Sequence, residues 1–338
     1  MEQAIELGNS LPARQKRAEN GCWARRAACL FATLASIMFS YRHSFHAGNH
    51  ADVLKHITLV AILRYLVSAK DTPLLLVDTH AGAGLYRLDG ADAQTSQEAM
   101  AAILPLWQQY GAAAADKAQA TEALAAYLQV LESFNTGGGL RKYPGSPLIA
   151  ASLLRTQDQM RVFELHPTDG RLLHNNMIEW QKSMPNQAAR VQVVRNNGFA
   201  GLKALLPPPS RRALVLMDPS YELKTDYGQV ITCMQDALQR FATGCYMVWY
   251  PIIPRPEAHD LPRRLKTLAQ KAGKGWLHAT LSVGRSDKSD GRAGLRASGV
   301  FVVNPPFVLQ AQLQEALPVV CKALQQEAGH GWRVESSA

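Results

Sequence analysis

Little in this chain suits a disulfide framework or a metal knuckle. Its 338 residues include five cysteines, Cys22, Cys29, Cys233, Cys245 and Cys321. The count is odd and no C-x-x-C pair occurs, which speaks against both and fits a reducing compartment. Long apolar runs are missing as well: none approaches the roughly 20 residues of a membrane helix. The apolar stretch 27–37 follows Arg25-Arg26 but has no small-residue cleavage site behind it, so export is not expected. Acidic residues are outnumbered, 27 against 36 Lys and Arg, for a net charge of +9 and a pI near 9.4. The excess is spread along the chain and favours a polyanionic partner over an acidic small molecule. No internal repeat is visible. A cytoplasmic protein without membrane association is expected, and with 47% hydrophobic residues it has enough apolar material for a large core.

Apolar runs bounded by turn residues predict strands at 74–77, 161–165, 190–194, 213–218, 245–250, 279–283 and 300–303. Helical spacing occupies 49–69, with Asn49 as cap, and then 169–181, 201–206, 227–241, 258–272 and 309–326. The alternation predicts an α/β fold with a mostly parallel, seven-stranded sheet and helices on both faces. Residues 1–37 are unlike the rest and read as an N-terminal extension, disordered or a mis-assigned start, because Met38 directly precedes the first motif. Residues 89–140 read as a helical insertion: two Ala-rich stretches, 97–110 and 118–134, closed by Thr136-Gly137-Gly138-Gly139. The parts 38–88 and 141–330 form the main domain.

Two strand ends carry the chemistry. Leu74-Leu75-Leu76-Val77 stops in Asp78-Thr79-His80-Ala81-Gly82-Ala83-Gly84, and Leu214-Val215-Leu216-Met217 stops in Asp218-Pro219-Ser220-Tyr221. Ligands of open α/β sheets sit at such carboxyl ends. The glycines let a backbone approach a ligand, and the acid suits a positively charged amine. A pyrophosphate-binding G-x-G-x-x-G is absent, since its third position is Arg87, so a methyl donor, S-adenosylmethionine, fits better than a dinucleotide. A plain strand-to-helix turn is the bland alternative. Glu164, after Val162-Phe163, offers a two-oxygen acceptor for a ribose diol. Asn197-Gly198 sits at a third strand end, where an amide can pair with a base edge or simply form a turn.

An exocyclic adenine amine is a poor nucleophile because its lone pair spreads into the ring. The Asp218 carboxylate and the Pro219 carbonyl would both accept its hydrogens, and Asp218 would take the proton after transfer. Tyr221 is expected to provide a stacking face for a flipped base. The segment 41–56 mixes aromatics, cations and imidazoles. His46 and His50 are four apart, but without H-E-x-x-H no metal is expected, and contact with unstacked RNA fits better. The loop 284–298, with Arg285, Lys288, Arg292 and Arg296, is either a phosphate contact or a solvated surface.

Taken together, Tyr41 to His56, Asp78 to Gly84, Tyr143-Pro144-Gly145-Ser146-Pro147, Glu164-Leu165-His166-Pro167, Asp218-Pro219-Ser220-Tyr221-Glu222, Trp249-Tyr250-Pro251 and Ala297-Ser298-Gly299 through Asn304-Pro305-Pro306 resemble the bacterial 23S ribosomal RNA adenine-2030 N6-methyltransferases. The likeness runs from Met38 to the last helix. It implies a Rossmann-like class I methyltransferase dependent on S-adenosylmethionine, acting on 23S ribosomal RNA. By position it implies donor contacts from His56, His80, Ser146, Glu164, Asn197, Gly198 and Asp218, with Asp78 and Gly82 in the same turn, a catalytic Asp218, Tyr41 near the RNA, and Lys55 as a further RNA contact. Ser220 stands where the family carries a second proline, and Asn197 where it carries an aspartate. A monomer suffices for this chemistry. Methylation of DNA adenine or a protein amide, and a non-catalytic RNA-binding assembly factor, are the alternatives.

Overall fold

Asn49 accepts the Asp52 N–H through its side chain and so starts α1 (His50–Ala69), a satisfied N-cap. In this computed structural model, which describes residues 43–184, 189–284, 295–324 and 329–337, α1 leads into β1 (Leu75–Asp78). A two-stranded ribbon of β2 (Leu85–Arg87) and β3 (Lys142–Pro144) brackets α2 (Ala91–Ser96), α3 (Ile103–Tyr110) and α4 (Glu122–Ser133). Then come α5 (Ser146–Leu153), β4 (Gln159–Phe163), α6 (Pro167–Ser183), β5 (Arg190–Val194), α7 (Gly198–Leu202), β6 (Ala213–Met217) and α8 (Lys224–Arg240). The chain continues through β7 (Cys245–Pro251), α9 (Pro256–Lys271), β8 (Trp276–Val283), β9 (Ala297–Val303), α10 (Leu309–Ala323) and β10 (His330–Ser336).

The main sheet has the order β10-β8-β9-β7-β6-β1-β4-β5. The strands β5, β4, β1, β6 and β7 pair in parallel, and β8 runs the same way because both it and β7 are antiparallel to β9. Only β9 and β10 are reversed. The expected mostly parallel α/β sheet is therefore present, with eight strands in place of seven. The eighth, β10, pairs along β8 over seven residues. It escaped the sequence because a half-exposed edge strand carrying His330, Arg333 and Glu335 shows no buried apolar run. The ribbon strands, three residues each, are too short for any period.

β1 and β6 are buried at every position, as central parallel strands must be. One apolar core is built from α1, α3, α4, α5 and α10 against one face of the sheet, and a second from α8 and α9 against the other. The predicted insertion thus does not stand apart from the sheet: Ile103, Leu106, Leu124, Leu128 and Leu131 join the core that surrounds α1. From His50 to Leu63 every residue of α1 is buried. None of the helices among the described residues is long and apolar enough to cross a membrane.

Candidate active site

Strand register brings the predicted turns to one edge. Asp78 is the partner of Leu216 on one side and Val162 on the other, so Asp218 and Glu164 each follow two residues beyond those partners. The Thr79 N–H donates to the Leu216 carbonyl at 3.0 Å, which ties the end of β1 to the end of β6. Gly82 and Gly84 both have positive φ, +61° and +79°. A Cβ on Gly82 would stand 2.4 Å from the Tyr86 hydroxyl, so the turn closes on glycine alone. The Gly198 Cα is closer still to the β1 turn, since a Cβ there would lie 2.1 Å from the Thr79 carbonyl oxygen.

Glu164 holds the glycine turn. Its two oxygens accept the Gly82 and His166 N–H groups, each at 2.7 Å. Burial nevertheless moves its carboxyl above the ordinary range, outweighing those two bonds. Asp78 accepts the Ser146 hydroxyl at 2.6 Å and the His80 N–H at 3.2 Å. Burial, against those two bonds, pushes its pKa up to about 7, and the nearby Asp218 charge adds to the rise. Asn197 caps α7 by accepting the Ala200 N–H. His80 and His56 are both kept neutral by burial, each pushed down to about 3. The His80 ring lies 4.6 Å from Phe199 and its Nδ1 2.8 Å from the Thr79 hydroxyl. That hydroxyl gives its proton to the Leu216 carbonyl, so His80 Nδ1 carries the hydrogen and Nε2 is the acceptor. His56 Nδ1 meets Tyr143 Oη at 2.8 Å, and Tyr143 meets Tyr127 at 2.9 Å. The His56 Nε2 atom is buried without a partner, a costly arrangement that a bound ligand would relieve.

Lys55 is placed differently from the expectation. As an RNA contact it would need exposure, yet it is 4% exposed and donates to Asp218 Oδ2 at 2.7 Å. Asp52 Oδ1 lies 2.9 Å from the same nitrogen. Burial works against the ammonium charge, but Asp218 and Asp52 outweigh it and raise its pKa. Tyr221 also departs from its expected role. It adopts φ +55°, is 2% exposed, and its hydroxyl donates to the Trp249 carbonyl at 2.7 Å. A ring held in the core offers no face to a base; instead it pins the turn after Pro219. Arg255 supports the same turn by donating to the Tyr221 and Glu222 carbonyls. Such a strained conformation persists only where neighbours fix it. Tyr41, residues 285–294 and the predicted extension lie outside the described residues.

The sequence reading gave no individual role to Asp52, His43 or Trp249, which it quoted only within motifs, and it did not name Arg255. An Asp three residues before Lys55 on a helix is a detectable ion-pair spacing, and it marks one of them.

A family model described as "Ribosomal RNA large subunit methyltransferase D, RlmJ" matches residues 71–336. The chain belongs to this family. It is 45% identical to the "Ribosomal RNA large subunit methyltransferase J" of Escherichia coli (strain K12) over 281 residues, 83% of this chain and 92% of that protein. The protein of the same name from Haemophilus influenzae is 43% identical over 299 residues, 88% of this chain and 98% of that one. A crystal structure of a protein from Legionella pneumophila str. Philadelphia 1 superposes with a TM-score of 0.73 at 31% identity, covering 87% of this chain and 99% of that chain. The family model begins inside the loop before β1 and ends at the last residue of β10, so it takes in both strand-end turns.

Proposed function

We propose that this RlmJ-family protein transfers a methyl group from S-adenosylmethionine to the exocyclic N6 amine of an adenine, position 2030, in 23S ribosomal RNA. One observation carries the reading: three carboxyls, Asp78, Glu164 and Asp218, converge at adjacent strand ends beside a glycine turn. Buried and partly buried carboxyls at one sheet edge suit a cationic donor. One polar group also fits it: the buried, unpartnered His56 Nε2 is a feature that a ligand would complete.

When bound, S-adenosylmethionine supplies an activated methyl on a positively charged sulfur. Glu164 keeps unused lone pairs on both oxygens for the ribose hydroxyls. His56, His80, Ser146 and Asp78 would hold the amino acid end of the donor, and Asn197 with Gly198 would take the edge of its base. Asp218 and the Pro219 carbonyl draw the two amine hydrogens of the target adenine, which returns the nitrogen lone pair to a geometry fit for attack. The ring-constrained Pro219 keeps its carbonyl fixed during the step. Asp218 then accepts the proton that the methylated nitrogen releases. This chemistry calls for no metal and no second subunit, in keeping with a cytoplasmic monomer. Mass analysis of 23S RNA from a strain lacking the gene is expected to show loss of the methyl group at that adenine. An unchanged methylation level would overturn the reading.

A further inference from the structure

We propose that Asp52 is a positioning residue of the transfer reaction: it anchors Lys55 so that the ammonium takes one oxygen of Asp218 and leaves the other for the acceptor amine. This rests on the role given to Asp218 above.

Asp52 is 1% exposed and its carboxylate is held by groups from three places in the chain. Oδ2 accepts the Gly48 N–H at 2.9 Å and lies 2.9 Å from His43 Nε2. Oδ1 faces Lys55 Nζ at 2.9 Å. Its own backbone N–H is capped by Asn49. The carboxylate is therefore locked before it meets the lysine.

Lys55 needs such a lock. Its four-carbon stem is flexible, and one carboxylate would neutralise its charge without fixing its position. With two, the ammonium is strung between Asp52 and Asp218, 2.9 and 2.7 Å away. The indole of Trp249 closes the side, its centroid 5.8 Å from Nζ. Among the described residues the Asp218 Oδ1 has no hydrogen-bond partner, while Oδ2 is taken by Lys55. The two oxygens are thus divided, one to hold the group in place and one to receive a hydrogen. Without Asp52 the buried ammonium has only Asp218 to satisfy it. It would then draw on both oxygens and compete with the amine.

The test is a double-mutant cycle with purified full-length protein, S-adenosylmethionine and a 23S RNA fragment. Asp52→Asn is close to isosteric; Asp52→Ser, which keeps a short acceptor for the Gly48 N–H, is the second variant. Both are expected to lower kcat about 10- to 100-fold, the cost of a displaced catalytic group, with the donor KM little changed. Lys55→Met should also be slow, and Asp52→Asn combined with Lys55→Met should be no slower than Lys55→Met alone. Rates are divided by the concentration of folded donor-binding sites found by calorimetry. A structural role alone would show fewer sites with unchanged kcat, and that result overturns the proposal. Losses that multiply in the double variant overturn it too. If the wild-type protein fails to methylate the fragment, the substrate reading has failed instead, and the wild-type arm reports it separately.

Discussion

Raising the pH from about 5.5 to about 8 should strengthen binding of S-adenosylmethionine by about 30-fold through Asp78 alone, if its anion is the form that receives the cationic donor. Its carboxyl sits near 7 in the free protein because burial disfavours the charge more than Ser146 and His80 favour it. Below that value most of the free protein carries a neutral acid, and the donor must displace a proton to bind. The free protein shows the reverse trend. A carboxyl whose pKa is higher folded than unfolded binds the proton more tightly in the native state, so this group's contribution to stability falls as pH rises from about 4 to about 7. Donor binding and apoprotein stability should therefore run in opposite directions across one pH window. Calorimetric titration of wild type and Asp78→Asn at several pH values isolates the effect, because ionisations of the donor itself are common to both. A slope that is equally steep in Asp78→Asn would refute the assignment, as would wild-type affinity independent of pH.

Gly198→Ala should lose about 1–3 kcal/mol in urea denaturation, with weaker donor binding, because the new methyl meets the Thr79 backbone rather than a side chain that can yield. A neutral result would show that the two loops are not in contact. Glu164→Gln removes the charge from two backbone bonds of 2.7 Å, so donor affinity should fall at least about tenfold, and calorimetry that finds wild-type affinity would count against a ribose role. Tyr221→Phe should cost about 1 kcal/mol of stability for the lost hydroxyl bond to Trp249 while leaving kcat unchanged; a large drop in kcat at intact stability would refute a purely structural role for the hydroxyl.

The sheet was legible because β1, β6 and β7 are short continuous apolar runs that end sharply, a pattern that suits buried parallel strands. The order of Asp78, Glu164 and Asp218 at strand ends followed from the same punctuation. The lysine was not legible in this way. Lys55 and Asp218 are 163 residues apart, and no periodicity says that the first turns of α1 reach the end of β6. Tyr221 misled for a local reason: an aromatic after a proline turn reads as exposed, whereas its positive φ swings the ring inward against Tyr227. Asn197 read as a base contact or a turn former, and its side chain serves at least the second of these by capping α7.

The closure of the β2–β3 ribbon has a mechanical result for protein engineering. Leu85 pairs with Pro144 and Arg87 with Lys142, so the chain leaves the glycine turn and returns to it at neighbouring points. A segment entered and left through such a narrow gate would ordinarily be exchangeable for a short hairpin. Here the exchange would strip the cover from the helix bearing Asp52, Lys55 and His56, whose outward residues are as apolar as its inward ones. Shortening this excursion should therefore yield a protein that sticks to itself through a bared greasy flank, even though every reacting group is still encoded.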